Sequence, residues 1–155
     1  MRLRHKIGFG IYFFVAIMAI VGGFRYFLSN TMMPYHAQAI GKNWAELDRG
    51  IQAIILALMG ACGAGAITIG FIVLILLFIP FRRGERWVNW TIFLGGIVWS
   101  ILCFIVTFKV YLATNASTPW PDWLISMVLY LLGFLLSLGD REGEKIIPDF
   151  SSQTK

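Results

Sequence analysis

A chain of 155 residues that is 58 % hydrophobic and 14 % charged has more apolar side chain than a soluble domain of its size can bury, since such domains sit near roughly 45–50 % apolar and 25 % charged. The net charge of +5 lies in short clusters beside apolar stretches rather than along one soluble face. This excludes a nucleic-acid surface and assigns the cations to membrane topology and anionic lipid. The expected fold is all-α: one integral membrane four-helix transmembrane bundle over residues 1–155.

The chain opens Met1-Arg-Leu-Arg-His-Lys6 before a first span near 7–28. A charged start and an apolar run also mark a signal peptide, but this run exceeds the usual ~7–15 residues and no small-x-small cleavage pattern follows. It reads as a retained helix. Ala19 and Gly23 form a small-residue pair at spacing four, and Arg25 lies one turn before the far end of the span.

The link 29–50 contains His36, Gln38, Lys42, Asn43, Glu46, Asp48 and Arg49. Asn43 is placed to N-cap a short helix with Glu46 at its third position. His36, Glu46 and Asp48 are the only candidates for catalysis, as acid or base and partner carboxylate. Arg25 and Lys109 are candidates for holding an anionic headgroup. A cation below the interface must snorkel or pair, so Arg25 is expected to pair with Glu46 or Asp48, with Asp122 third. No metal site is expected, because these residues lack ligand spacing and His5 lies on the opposite face.

A second span near 51–81 is long enough, at about 46 Å if wholly helical, to require tilt or protrusion. Ala53, Ala57, Ala61 and Gly65 recur at spacing four, with Gly60, Ala64 and Thr68 alongside. Transmembrane helices associate through small residues, so this face is expected at the bundle centre. The glycine-rich 60–70 segment reads as packing, since a phosphate loop needs a strand–turn–helix context. Pro80 ends the span, and the Arg82–Arg86 turn predicts antiparallel packing of the second span against the third.

The third span, near 88–112, has Trp87 and Trp90 at its start, the pair Gly96 and Ser100, and Lys109 one turn before its end. Cys62 and Cys103 sit within apolar stretches without a CxxC. They read as inert thiols, which disfavours a disulfide oxidoreductase. The link 113–122 has no Lys or Arg, whereas Arg2, Arg4 and Lys6 and then Arg82, Arg83 and Arg86 flank the other side. The expected orientation is N-in/C-in, with 29–50 and 113–122 outside. Asn115-Ala-Ser117 formally matches a glycosylation sequon, which carries no meaning in a bacterium. Pro119 and Pro121 introduce a fourth span near 120–139, and the tail 140–155 is expected to be mobile.

The stretch Met33-Pro-Tyr-His-Ala-Gln-Ala-Ile-Gly-Lys-Asn-Trp-Ala-Glu-Leu-Asp48, the run Leu56-Ala-Leu-Met59 and the hairpin Pro80-Phe-Arg-Arg-Gly-Glu-Arg-Trp87 resemble a family of small four-helix bacterial membrane proteins with no assigned activity. The resemblance covers about the first two thirds of the chain. It implies a four-span fold in a bacterial inner membrane and supplies no catalytic residue. Gly60-Ala-Cys-Gly63 departs from the family pattern, in which a basic residue follows the methionine.

No GxSxG, HExxH or nucleotide loop is present, and Ser29, Thr31 and Ser117 have no base beside them. The leading expectation is a non-catalytic accessory or structural subunit of a larger membrane complex, with a membrane-protein partner or a homo-oligomer in the bilayer. The alternative is a lipid- or quinone-binding carrier or enzyme with its site at the outer face; no other cofactor is expected.

Overall fold

In the computed structural model, which describes residues 3–138, the chain is helical throughout with no strand among the described residues. Helix α1 spans Leu3–Phe27, a short α2 spans Pro34–Ile40, and a single 3₁₀ turn covers Trp44–Glu46. Helix α3 covers Arg49–Leu76 and continues as a π turn through Leu77–Phe81; α4 is Arg86–Thr114 and α5 is Trp120–Leu138. The expected tail 140–155 and Gly139 lie outside the described residues.

Four of these helices are long and apolar enough to cross a membrane: α1, α3 with its π turn, α4 and α5. Between 17 % and 28 % of each apolar window is buried inside the fold. The remaining apolar surface is far too large for water to solvate. Hydrocarbon also explains why α1 is helical despite Gly8, Gly10, Gly22 and Gly23. In lipid every backbone N–H must be satisfied within the segment, which outweighs glycine's poor helix propensity.

The four spans start and stop at two common ends. One end holds the start of α1, the π turn, the Arg82–Glu85 turn, the start of α4 and the end of α5; we call it the arginine end. The loop end holds α2, the 3₁₀ turn and the α4–α5 link. Pro80, lacking an N–H, breaks the α-helical ladder at the foot of α3, and the chain widens there into the π turn. Gly84, with φ +80°, then reverses the chain, and its N–H donates to the Phe81 carbonyl at 3.0 Å.

Glycines decide which helices touch. On the α1–α3 seam a Cβ on Gly63 would fall 2.6 Å from the Gly23 carbonyl and 2.7 Å from the Phe27 nitrogen. A Cβ on Gly23 would fall 2.8 Å from the Gly63 carbonyl. The two backbones rest directly on each other, and Gly70 repeats the arrangement against the Ala16 carbonyl at 2.9 Å. On α4–α5 the Tyr130 ring fills the space a Gly96 side chain would occupy. On α1–α5 the ring of Tyr12 lies over Gly133. The helices therefore run as an arc, α3–α1–α5–α4. Tyr12, Ala16, Leu77, Phe81, Val88, Ile92 and Tyr130 form a core weighted toward the arginine end.

Two expectations are corrected here. The α3–α4 turn does not make these helices packing partners. They touch at the arginine end, where the π turn meets α4, and again at mid-span, where Trp99 reaches to 3.6 Å from where a Gly65 Cβ would lie. Their closer seams are to α1 and to α5. The row Ala53, Ala57 and Ala61 is also not central: all three are exposed and Gly65 is half-buried. The buried face of α3 is Met59, Gly63, Gly70 and Val73. Backbone-to-backbone approach requires glycine at the crossing, and an alanine methyl there would already collide.

Candidate functional site

At the loop end, α2 begins with Pro34 in its first turn and ends at Gly41, whose φ of +71° and N–H bond to the Ala37 carbonyl stop the helix. The Tyr35 hydroxyl lies 2.6 Å from that of Tyr26, tying α2 to the end of α1. Burial, reinforced by this bond, pushes the Tyr35 phenol well above its ordinary range. The His36 ring sits edge-on to Tyr35 at 4.2 Å between centroids. Its Nδ1 is buried without a hydrogen-bond partner among the described residues. Burial holds the imidazole below its ordinary pKa of 6.5 and favours the neutral form.

The other expected site residues are dispersed. Glu46 accepts from the Asn43 backbone N–H at 3.2 Å and from Asn43 Nδ2 at 3.0 Å, so its carboxylate closes the 3₁₀ turn. These bonds hold its pKa below the usual carboxylate value. Asp48 is exposed, and its backbone carbonyl receives the Gln52 N–H as α3 begins. Arg25 and Lys109 are exposed, and neither forms an ion pair among the described residues. The expected Arg25 pairing with Glu46, Asp48 or Asp122 is therefore absent there, because Glu46 turns back to Asn43 and Arg25 points outward. A surface depression of about 240 Å³ opens beside Gln38 and Lys42, with Asn43 on its edge. It includes none of His36, Glu46, Asp48, Arg25 or Lys109. Gln38 instead anchors the loops, accepting the Ser117 N–H at 2.9 Å.

Gly96 and Ser100 are both buried on the α4 face toward α5, where the Ser100 hydroxyl lies 3.1 Å from that of Ser126. Cys62 and Cys103 are free thiols. No group of three or more His, Cys, Asp or Glu among the described residues is placed to hold a metal ion.

Polar side chains do converge at the arginine end. The Tyr12 hydroxyl donates to Asn89 Oδ1 at 3.0 Å, and Asn89 Nδ2 donates to the Phe134 carbonyl at 3.4 Å. A carbonyl only accepts, so Phe134 fixes which end of the amide is nitrogen, and Tyr12 must then be the donor to the other end. Three helices are pinned by one amide. Asn89 and Tyr12 are buried, as are His5 and Ser137. The His5 ring stacks on Phe81, 4.4 Å between centroids and 11° between planes. Ser137 gives its proton to the Gly133 carbonyl at 2.7 Å.

Beside this network lies a cavity of about 280 Å³. His5, Asn89, Ser137 and Phe81 line its buried side, and Glu85, Arg86, Trp90 and Leu138 its exposed side. Sequence reading passed over it because each residue has an ordinary explanation alone: a terminal histidine, an interfacial asparagine, an aromatic in an apolar run. The missed signal was depth. With an even number of spans, the start of α1, the start of α4 and the end of α5 share one level, and each puts a polar residue there.

Comparison of the chain with family models, with curated protein sequences and with solved structures returned no match.

Proposed function

We propose that this chain is a multi-pass protein of a bacterial inner membrane, oriented N-in/C-in, that serves as a small accessory or structural subunit of a larger membrane complex. The observation that carries this reading is an unused small-residue face on α3. Among the described residues, the row Ala53, Ala57 and Ala61 is exposed and packs against no other helix of the bundle closely enough to be buried. Lipid gives helices no hydrophobic reason to associate, so contact depends on how closely their backbones can approach. A row of methyl groups on an outer face suits one more helix, from another protein or a second copy of this chain. The orientation draws support from the arginines of the Arg82–Arg86 turn against a 113–122 link without Lys or Arg.

The loop-end residues give the rival lipid- or quinone-handling reading no shared cavity, since His36 lies against Tyr35 and Glu46 is held by Asn43. The test is mild-detergent extraction from native membranes, followed by sizing and mass spectrometry of what travels with the chain. The expected result is a discrete larger assembly. Changing Ala53, Ala57 and Ala61 together to Leu should release the chain from it while leaving its own thermal transition in place. A strictly monomeric chain in native-lipid discs would overturn the proposal.

A further inference from the structure

The arginine-end cavity is bordered by one aimed hydrogen-bond donor, the Asn89 amide, that the fold leaves partly unused. Asn89 is 7 % exposed, its oxygen is taken by Tyr12, and one amide hydrogen goes to the 3.4 Å bond with Phe134. The other amide hydrogen has no acceptor among the described residues. Because the oxygen is held, the donor is aimed before any ligand arrives, which removes part of the ordering cost of binding. The His5 imidazole and Trp90, whose indole N–H is only a donor, line the same space. Ser137 has already given its proton to Gly133, and Glu85 already accepts the Trp87 indole N–H at 2.6 Å. Among the described residues, Asn89 is the buried polar group of the lining with a donor hydrogen still to place.

Size and charge narrow the ligand. A volume of about 280 Å³ lies at the lower edge of the roughly 300–1,000 Å³ typical of small-molecule sites, enough for one substituted ring and too little for a glycerol with two chains. Glu85 and Arg86 adjoin with opposite charge, so an anion such as a lipid phosphate gains little net attraction. The walls are apolar at Phe81, Trp90 and Leu138, and the stacked His5–Phe81 pair offers a flat face.

A flat, uncharged ring bearing carbonyl acceptors, and reaching the site through hydrocarbon, meets all of these conditions. We infer that the cavity binds the head of a membrane quinone, with a ring carbonyl accepting from Asn89 Nδ2 and the ring lying among His5, Phe81 and Trp90. The inference concerns binding and stands whether or not the chain has a protein partner.

The test uses the full chain in nanodiscs of defined phospholipid, titrated with a short-tailed benzoquinone and followed by tryptophan quenching and native mass spectrometry. Wild type should bind one equivalent saturably. Loss of one directed hydrogen bond in Asn89→Leu should weaken binding by about tenfold, and Tyr12→Phe, which releases the amide, by less. Gln38→Ala, at the loop end, should leave affinity unchanged. If Asn89→Leu fails to fold, Leu138→Trp, which fills the cavity from its exposed wall, takes its place and should weaken binding as much. Non-saturable quenching, affinity equal to wild type in whichever of these two variants folds, or a retained phospholipid in place of quinone would each overturn the inference.

Discussion

At the loop end, Glu46 takes its hydrogen bonds from Asn43, three residues away, Ser29 bonds to the Thr31 carbonyl and Tyr35 bonds to Tyr26. At the arginine end, Tyr12 reaches Asn89 across 77 residues, and Asn89 reaches Phe134 across 45. The loop-end exception, Gln38 to Ser117, is exposed. Polar residues in water-facing links can satisfy themselves locally, and such bonds shape a loop without specifying the fold. Polar residues sunk in an apolar bundle have no water to turn to, and where they bond across helices, as Tyr12 and Asn89 do, each bond also fixes which helices are neighbours. Both ends carry ionisable groups, and among the described residues the buried cross-helix network lies at the arginine end.

The contrast depends on the α1–α3 seam, which holds both ends in register, and breaking that seam should have the largest effect. Gly63→Leu drives a side chain into the Gly23 carbonyl and the Phe27 backbone, where no rotamer escapes. A cost of about 3 kcal/mol or more is expected, at the upper end of overpacking penalties. It should appear as loss of the cooperative thermal transition in lipid discs. Ala57→Leu, on the outward face of the same helix, should stay within about 0.5 kcal/mol of wild type. Equal losses from the two would mean that the exposed alanine row, not the glycine seam, packs the bundle.

A smaller change separates the two ends directly. Tyr12→Phe removes one oxygen and leaves Asn89 Oδ1 as a buried acceptor without a donor, at a cost of about 1–3 kcal/mol. Glu46→Gln, which weakens the carboxylate's hold on Asn43, should leave the global transition in place and raise only the hydrogen exchange of nearby amides. A global effect from Glu46→Gln would place the loop end within the cooperative core.

Hydropathy made the spans legible. The expected 7–28, 51–81, 88–112 and 120–139 correspond to helices at Leu3–Phe27, Arg49–Phe81, Arg86–Thr114 and Trp120–Leu138, the polar ends extending past the apolar runs. Pro80 and Gly84 likewise marked the end of α3, though not its widening into a π turn. Neighbours were not legible. An alanine row at spacing four and a glycine pair at spacing seven both look like packing faces, and only the partner's backbone decides between them. The short helix Pro34–Ile40 carried its signals in Pro34 and Gly41, while attention fell on the charged residues around it. The loop-end candidates stand out by their titratability, whereas Tyr12, Asn89, Phe134 and Ser137 at the arginine end are neutral, so charge alone does not reveal that network.

The smallest expected effect is the pH response of the loop end itself. His36 is held neutral by burial, its pKa below 6.5. When the α2 segment opens, the ring meets water and takes up a proton near its ordinary pKa of about 6.5. The open state then binds more protons than the closed one on the acid side of that value, and the closed state gains stability as pH rises. Acidification from about pH 7 to pH 5 should therefore lower the protection factors, that is exchange rates normalised to the intrinsic rate at each pH, of the amides of residues 34–40, and His36→Phe should flatten the response. Glu46 acts in the same direction only at lower pH: its depressed pKa contributes stability above the ordinary carboxylate range, lost as pH falls through the folded value. Stopping near pH 5 keeps the two apart. If the protection factors there are insensitive to pH in wild type, or the response survives His36→Phe, the half-buried imidazole does not govern the opening of α2.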